Sequence, residues 1–171
     1  MTQSRTDKVH QLIDDFAAKL AASESIPARR IVSAPWISDL GARLPLRLPH
    51  SFDSFVTRYT FPSFDLRGIT FFGNRGDKSS LDLPTAIFVD KFLCETLLHS
   101  SYIQIGRPDT GDYDPICFEG DIGMNDREYP IVRINHEAIL CYSRIEVTER
   151  IAPSFFQFVK DYLNPVSLSV H

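Results

Sequence analysis

The sequence predicts an α+β fold: a single domain whose central sheet is packed by N-terminal and C-terminal helices. Three short runs rich in β-branched and aromatic residues, 102–105, 116–118 and 131–134, are separated by turn formers and are typical of strands. Residues 9–20 and 155–162 instead repeat apolar side chains at helical spacing. The 171 residues, 43% of them hydrophobic, are enough for one full core.

The charge and composition of the chain exclude several classes of protein. The formal net charge is −4, and Arg29-Arg30 is the only adjacent basic pair, whereas a nucleic-acid-binding protein shows a basic patch. No apolar run approaches the roughly 20 residues that cross a bilayer, and the polar N-terminus lacks a signal-peptide core. Three widely spaced cysteines favour reduced thiols over a disulfide framework. We therefore expect a cytoplasmic protein that binds neither nucleic acid nor membrane.

The N-terminal third predicts three helices. The first carries the apolar stripe of residues 9–20 and is followed by a solvated connector at Arg29-Arg30. The second begins near Pro35, because proline suits a first helical turn, and ends at Gly41. The third takes Ser51 as its N-cap and buries an aromatic face.

The middle and the end of the chain give less regular patterns. Residues 68–72 favour a strand that ends in a glycine-rich surface turn, 73–76, which lacks the features of a phosphate-binding loop. Residues 77–84 are expected to be polar loop, and residues 90–98 favour a helix. The segment 151–159 predicts a closing helix with proline in its first turn.

The most informative chemical feature is a concentration of acids around the second central strand. Between positions 109 and 128, seven acidic residues are opposed only by Arg127, which gives a local net charge of −6. Such a cluster favours a basic partner and accelerates association, although it is also compatible with solvated loops that keep the protein soluble. Two tyrosines in the stretch are candidate interface anchors. The predicted partner-binding residues are Asp109, Asp112, Tyr113, Asp114, Glu119, Asp121, Asp126, Glu128 and Tyr129.

Other chemistries for these acids have less support. An EF-hand loop is excluded, because starting at Asp109 or at Asp112 places non-ligand residues at required positions and glycine at the last one. A looser cation site stays open as an alternative. So does a hydrolase site that pairs Asp112 with Asp114, although local sequence does not show the pKa separation that acid–base catalysis needs.

The cysteine and histidine residues show no local metal-binding or catalytic spacing. Cys94 with His99, or His136 with Cys141, lack the close pairs that bring two zinc ligands together. Cys117 lies within an apolar run and is expected to act as a small buried hydrophobe. We therefore predict no cofactor, no metal site and no catalytic residue.

Three segments, in the expected order, resemble the SUKH superfamily. Residues 36–41 followed by 48–56 resemble its opening, a short helix with a Leu-Gly end and a Leu-Pro step into an aromatic-rich helix. Residues 102–106 with 113–118 look like the central strand pair of the family, and residues 151–159 are similar to its closing helix.

The resemblance implies an α+β fold, with a central mixed or antiparallel sheet of about 4–6 strands packed by helices, and an interaction role without catalytic residues to transfer. We accordingly divide the chain into an N-terminal helix and connector (1–30), a SUKH-like domain (31–165) and a loose tail (166–171). The family includes the fungal cell-wall assembly regulator and bacterial immunity proteins that neutralise toxins, often nucleases. Our first hypothesis is therefore a non-enzymatic immunity protein whose partner is a toxin with a basic surface. A cytoplasmic regulatory or scaffold domain of the same family is the alternative, and a small metal-assisted hydrolase is the third; the oligomeric state stays open.

Overall fold

The structure, a computed structural model, describes residues 4–31, 33–120 and 128–165. Its strands are β1 (Arg29–Arg30), β2 (Tyr59–Thr60), β3 (Phe64–Leu66), β4 (Ile69–Phe71), β5 (Tyr102–Pro108), β6 (Ile116–Glu119), β7 (Ile131–Ile134) and β8 (Val147–Ala152). The helices are α1 (Arg5–Ser23), α2 (Pro35–Arg43), α3 (His50–Arg58), α4 (Leu83–Val89), α5 (Lys91–His99), α6 (His136–Tyr142) and α7 (Phe155–Leu163).

The centre of the domain is a six-stranded antiparallel sheet whose strands follow one another in sequence order, from β3 to β8, which confirms the predicted α+β class. A separate two-stranded sheet pairs β1 with β2.

The two faces of the sheet pack against different layers of helices. Alternate residues of a strand point to opposite faces, so Ile103 and Ile105 of β5 and Ile116 and Phe118 of β6 enter the main core beneath α1, α3 and α7. Cys117 points to the other face, where α5 and α6 cover a smaller cluster. That cluster contains Leu93, Leu97, Cys117, Val132, Ile134 and Ile139.

Phenylalanine rings join the helices of the main core to one another. The ring of Phe55 in α3 stacks on Phe61 with centroids 4.3 Å apart and contacts Phe155 of α7 at 6.0 Å. Phe52 meets Phe118 of the sheet and Phe155 edge-on, both at 5.1 Å. Aromatic pairs contribute about 0.5–1.5 kcal/mol each beyond the area that they bury. The aromatic face predicted for the third helix therefore binds that helix to the sheet and to α7.

Helix α1 is part of the same core. Its predicted stripe is confirmed, because Val9, Ile13, Phe16 and Leu20 are all buried. At the edge of this contact, Asp14 accepts hydrogen bonds from Nη2 of Arg58 at 2.7 and 2.8 Å and from the Tyr59 hydroxyl at 2.8 Å. Partial burial raises the pKa of Asp14, but the hydrogen bonds from these two residues outweigh it and hold the pKa below its usual value.

Three predictions for the N-terminal half are corrected. Arg29-Arg30 is exposed but forms strand β1, paired with residues 59 and 60, and is not a simple connector. Helix α2 continues past Gly41 to Arg43. Ser51 does not cap α3, because Pro49 holds the N-cap position and Ser51 lies one residue inside the helix.

The middle of the chain contains more regular structure than its pattern predicts. Strand β3 is not anticipated, and α4 begins within the predicted polar loop. The predicted helix over residues 90–98 is confirmed as α5, and the Asp90 side chain caps it by accepting from the backbone N–H groups of Phe92 and Leu93. The turn at 73–76 is not wholly at the surface. Asn74 is buried, and its side chain bonds the backbone of Phe61, Val56 and Tyr59.

The C-terminal part departs from the prediction at two places. Helix α6 and strand β8 are both absent from the predicted elements. Residues 151 and 152, predicted to open the closing helix, end β8 instead. Helix α7 begins at Phe155, and Ser154 caps it by accepting from the Gln157 N–H at 3.0 Å. Its predicted apolar stripe and its end before Asn164 are confirmed.

Substitution of Gly106 tests the close contact between β4 and β5. A Cβ atom at Gly106 would lie 2.5 Å from the backbone oxygen of Thr70, so Gly106→Ala should destabilise the fold by about 1–3 kcal/mol. The matched control is Gly41→Ala, because nothing lies within 4 Å of that position and alanine favours a helix by up to about 1 kcal/mol. Urea unfolding at 25 °C measures both. An unchanged midpoint for Gly106→Ala contradicts the contact.

Candidate protein-binding site

The first group of predicted residues lies on the turn that joins β5 to β6. The turn is fixed at its start, where the Asp109 N–H donates to the Gly68 carbonyl at 3.1 Å and the Gly111 N–H donates to the Pro108 carbonyl at 3.3 Å. Gly111 has a φ of +87°, a conformation that other residues rarely adopt. The sequence at this position therefore determines the direction in which the acids and Tyr113 point.

Asp114 is the residue that attaches this turn to the rest of the domain. Its Oδ2 accepts from Arg133 Nε of β7 at 2.8 Å. Its Oδ1 accepts from the backbone N–H of His136 at 3.1 Å, and His136 Nδ1 lies 2.7 Å from the same oxygen. The Nδ1 atom carries the proton, because an ionised carboxylate only accepts. Partial burial raises the pKa of Asp114, but the bonds from His136 and Arg133 outweigh it and hold the pKa below its usual value.

Asp112 extends the same network towards solvent. Its Oδ2 accepts from Nη2 of Arg133 at 3.2 Å and from the Thr110 hydroxyl at 2.9 Å, yet its side chain stays 57% exposed. The carboxylate of Asp114 raises the pKa of the Arg133 guanidinium, with a smaller contribution from Asp112. Asp109 is exposed. Two of the three acids of the turn are thus accessible, whereas Asp114 is engaged within the protein.

Tyr113 projects from the turn between these acids. Its side chain is 65% exposed. The Arg107 guanidinium lies 5.8 Å from the centroid of its ring, and the ring of His136 lies 6.2 Å away. The ring is flanked by polar groups and leaves most of its surface to solvent, as an interface anchor requires.

Glu119 belongs to a different environment at the end of β6. Its carboxylate accepts hydrogen bonds from Nη1 and Nη2 of Arg150 in β8, at 2.6 and 3.3 Å, and from the Tyr102 hydroxyl at 2.9 Å. Burial, together with the hydrogen bond to Glu119, raises the pKa of Tyr102 to about 12. Glu119 of β6 thus connects to β5 beside it and, across β7, to β8, and it has a structural role in this conformation.

Glu128 and Tyr129 are also engaged within the fold. The Glu128 carboxylate accepts from the backbone N–H and the hydroxyl of Ser51, both at 2.8 Å, and so occupies the start of α3. A carboxylate there is favoured by the helix dipole and satisfies an N–H that the helix leaves unpaired. Tyr129 is only 7% exposed and belongs to the main core. Its ring is therefore not accessible as an interface anchor.

The predicted residues do not form one continuous surface. The turn at 109–115 precedes β6, whereas Gly120 and Glu128 lie at the opposite end of that strand. A four-residue strand spans about 13 Å. Asp121 and Asp126 lie outside the described residues. The part of the prediction that the structure brings together as an exposed group is Asp109, Asp112 and Tyr113, supported by Asp114.

The sequence analysis missed a neighbouring set of exposed apolar side chains. Phe92 on α5 and Leu140 and Tyr142 on α6 are 79%, 54% and 74% exposed. The sequence does contain a signal for the start of each helix. Asp90 and Asn135 are good N-cap residues, and their side chains cap α5 and α6. The short length of α6, seven residues, gave no helical period to recognise.

No protein-family model matches the sequence, and a search among curated proteins likewise finds no match. The resemblance to the SUKH superfamily therefore stays a prediction. Over residues 4–31, 33–120 and 128–165, no helix is long and apolar enough to cross a membrane. In the same part of the chain, no three His, Cys, Asp or Glu side chains converge as ligands for one metal ion.

Substitution of Asp114 tests its role in fixing the turn. Asp114→Asn should lower the free energy of unfolding at pH 7 by about 1–3 kcal/mol, because hydrogen bonds to a charged acceptor are lost. The pKa of Asp114 is lower in the folded state than in the unfolded state. Its contribution is therefore complete above the unfolded value of about 4 and is lost as the pH falls through the folded value. The difference between variant and wild type should shrink at pH 3, as measured by urea unfolding.

Asp109→Asn is the matched control for this experiment. Its side chain is exposed, so the free energy of unfolding should stay within about 0.5 kcal/mol of wild type at both pH values. A loss for Asp114→Asn that is equally large at pH 3 and pH 7 contradicts a role for the ionised carboxylate.

Proposed function

We propose that this chain is a non-enzymatic protein-binding domain, and specifically an immunity protein that neutralises a toxin by direct binding. The observation that carries the proposal is Tyr113, an exposed tyrosine on a turn that the surrounding structure holds in place. The resemblance to the SUKH superfamily, quoted above from its three segments, supports the immunity role.

The rigidity of the turn favours tight binding. Arg133 and His136 hold Asp114 through three hydrogen-bonded contacts, so residues 109–114 have little conformational freedom left to lose on association. Ordering a flexible loop costs binding free energy, and a turn that is fixed beforehand avoids that cost. Tyrosine is also among the residues that most often dominate the binding energy of an interface.

The charge of the turn supports a basic partner. Asp109 and Asp112 present accessible carboxylates beside Tyr113, and among the residues that the structure describes only Arg133 forms an ion pair with Asp112. A nuclease toxin binds phosphates through Lys and Arg side chains. Carboxylates placed opposite those groups occupy them and accelerate encounter at low ionic strength. Neutralisation would thus follow from covering the nucleic-acid-binding surface of the toxin, with no chemical step.

The partner is identified by affinity capture with the tagged chain from a lysate of its source organism, followed by mass spectrometry. Co-expression with the captured protein in a sensitive host then tests neutralisation. We expect a basic toxin whose lethality the chain suppresses. Capture of a non-toxic enzyme or scaffold would favour the regulatory alternative.

Tyr113→Ala should weaken binding to the captured partner by at least about 30-fold, because an anchoring tyrosine is worth roughly 2 kcal/mol or more. The thermal midpoint of the free protein should change little, since the ring is 65% exposed. Titration calorimetry gives the affinity. Unchanged affinity with intact folding would exclude this turn from the interface.

Charge reversal of the two accessible acids should act mainly on the association rate. Asp109→Lys with Asp112→Lys should slow association at 50 mM salt by about tenfold or more, and the effect should shrink at high salt. Asp15→Lys with Asp39→Lys is the control, because it changes two exposed acids on α1 and α2 and shifts the net charge equally. Stopped-flow mixing measures the rates. Equal slowing by the two double variants would indicate net charge alone and contradict a specific acidic surface.

A further inference from the structure

The exposed large hydrophobic side chains of the described residues are concentrated on one side of the domain. They lie on α5 and α6, at the end of α4, and on the neighbouring turn; helices α1, α2, α3 and α7 contribute none. Such side chains, when grouped, mark interaction surfaces more often than when they are scattered. The residues are Val89, Phe92, Tyr113, Leu140 and Tyr142.

Helix geometry places Phe92 away from the main core. Leu93 and Leu97 mark the stripe of α5 that faces the sheet. At 100° per residue, Leu98 lies on one flank of that stripe, where it packs against the main core, and Phe92 lies on the other. Helix α6 packs against α5 over the smaller cluster. The Phe92 ring therefore belongs to the outer surface of the α5–α6 layer.

The same surface continues through α6 to the turn. Ala138 and Ile139 are the buried residues of α6, which leaves Leu140 and Tyr142 exposed. His136, the first residue of α6, lies 6.2 Å from the ring of Tyr113 and is bonded to Asp114. By the same geometry, Leu140 lies about 150° around α6 from the midpoint of the buried pair and so faces outward as Phe92 does, whereas Tyr142 lies on the side of that pair. We call the surface formed by Phe92 and Leu140 the α5–α6 face; Tyr113 lies at its border.

Neither Phe92 nor Leu140 contributes much to the fold. Phe92 occupies the first turn of α5, where the backbone N–H is already capped by Asp90 and the side chain is 79% exposed. Leu140 points away from the buried residues Ala138 and Ile139. Stability therefore does not account for large apolar residues at these positions.

The border of the α5–α6 face is acidic. Segments 89–99, 107–114 and 133–146 contain seven Asp or Glu residues and four Lys or Arg residues, a net charge of −3 with histidine neutral. Arg133 and Arg144 already bond carboxylates of the same region, and Arg107 lies over the ring of Tyr113. A second copy of the chain would bring two like-charged borders together, whereas a basic partner would be attracted.

We propose that the α5–α6 face is a docking surface for a protein that presents apolar anchor side chains framed by Lys and Arg. The face extends the interface of the proposed function beyond Tyr113, and in that respect it rests on that function. It adds the chemistry of the partner: an apolar centre that buries Phe92 and Leu140, within a basic border that meets the acids around them.

The test uses a phage-displayed library of random 16-residue peptides, selected on the full-length chain. The selected peptides should combine aromatic or aliphatic residues with Lys and Arg. Their affinity should fall by roughly 30-fold for the double variant Phe92→Ser with Leu140→Ser, the loss typical of anchor residues. The control pair, Gln11→Ser with Asp39→Ser, changes exposed side chains of α1 and α2 and should bind as wild type does.

A second pair of variants separates charge from apolar contact. Glu95→Lys with Glu137→Lys should weaken binding of the same peptides at low salt and have less effect at high salt, because both residues are exposed acids of the border. Sedimentation velocity of the wild-type chain should show a monomer at micromolar concentration. Circular dichroism and urea midpoints confirm that every variant is folded.

Several outcomes would overturn the proposal. They are failure to select any peptide, selection without basic residues, equal binding to the Phe92→Ser/Leu140→Ser variant, and a wild-type dimer that this variant dissociates. None of these measurements involves a toxin. A chain that binds such peptides through the α5–α6 face but rescues no cell would therefore refute the immunity role and leave the docking surface intact.

Discussion

The burial of β6 on both faces is the constraint on which the arrangement of the domain depends. Ile116, Cys117 and Phe118 are each at most 1% exposed, so each face of this strand needs its own cover. Phe52 and Phe155 provide one, and the layer of α5 and α6 provides the other. Charges are excluded from such a strand because an unpaired buried charge is too costly. The acids of this region are therefore restricted to the two ends of β6, where they serve different purposes.

The elements that the sequence predicts well are those whose pattern is local and repeated. The stripe of α1 spans several turns, and the central strands stand between clear turn formers. Helix α6 has only seven residues, and edge strand β8 has three consecutive exposed residues, so neither shows a period. Ser51 is a good N-cap residue in isolation, but Glu128, 77 positions further along the chain, binds the start of α3 instead. That competition depends on tertiary structure.

The sequence likewise does not show which acids of the candidate site are paired in the fold. Counting along the chain gives seven acids against one arginine between positions 109 and 128, but antiparallel pairing brings in Arg133 from β7 and Arg150 from β8. These two guanidinium groups engage Asp112, Asp114 and Glu119. The two tyrosines of this stretch also differ in exposure, since Tyr113 projects from a turn whereas Tyr129 lies in the core. Residue type indicates what a side chain can do, and the neighbouring strands determine whether it is free to do it.

Because Cys117 is buried, the rate at which its thiol reacts reports how often the domain opens. Desolvation raises the pKa of this thiol well above its usual value, and the thiolate is the form that reacts with alkylating reagents. Cys141 is exposed and Cys94 is half-buried, so both are reached without disturbing the sheet. Modification of Cys117 requires separation of the central strands from at least one helical layer. The slowest of the three labelling rates therefore measures how often a native molecule exposes its centre, with no introduced cysteine.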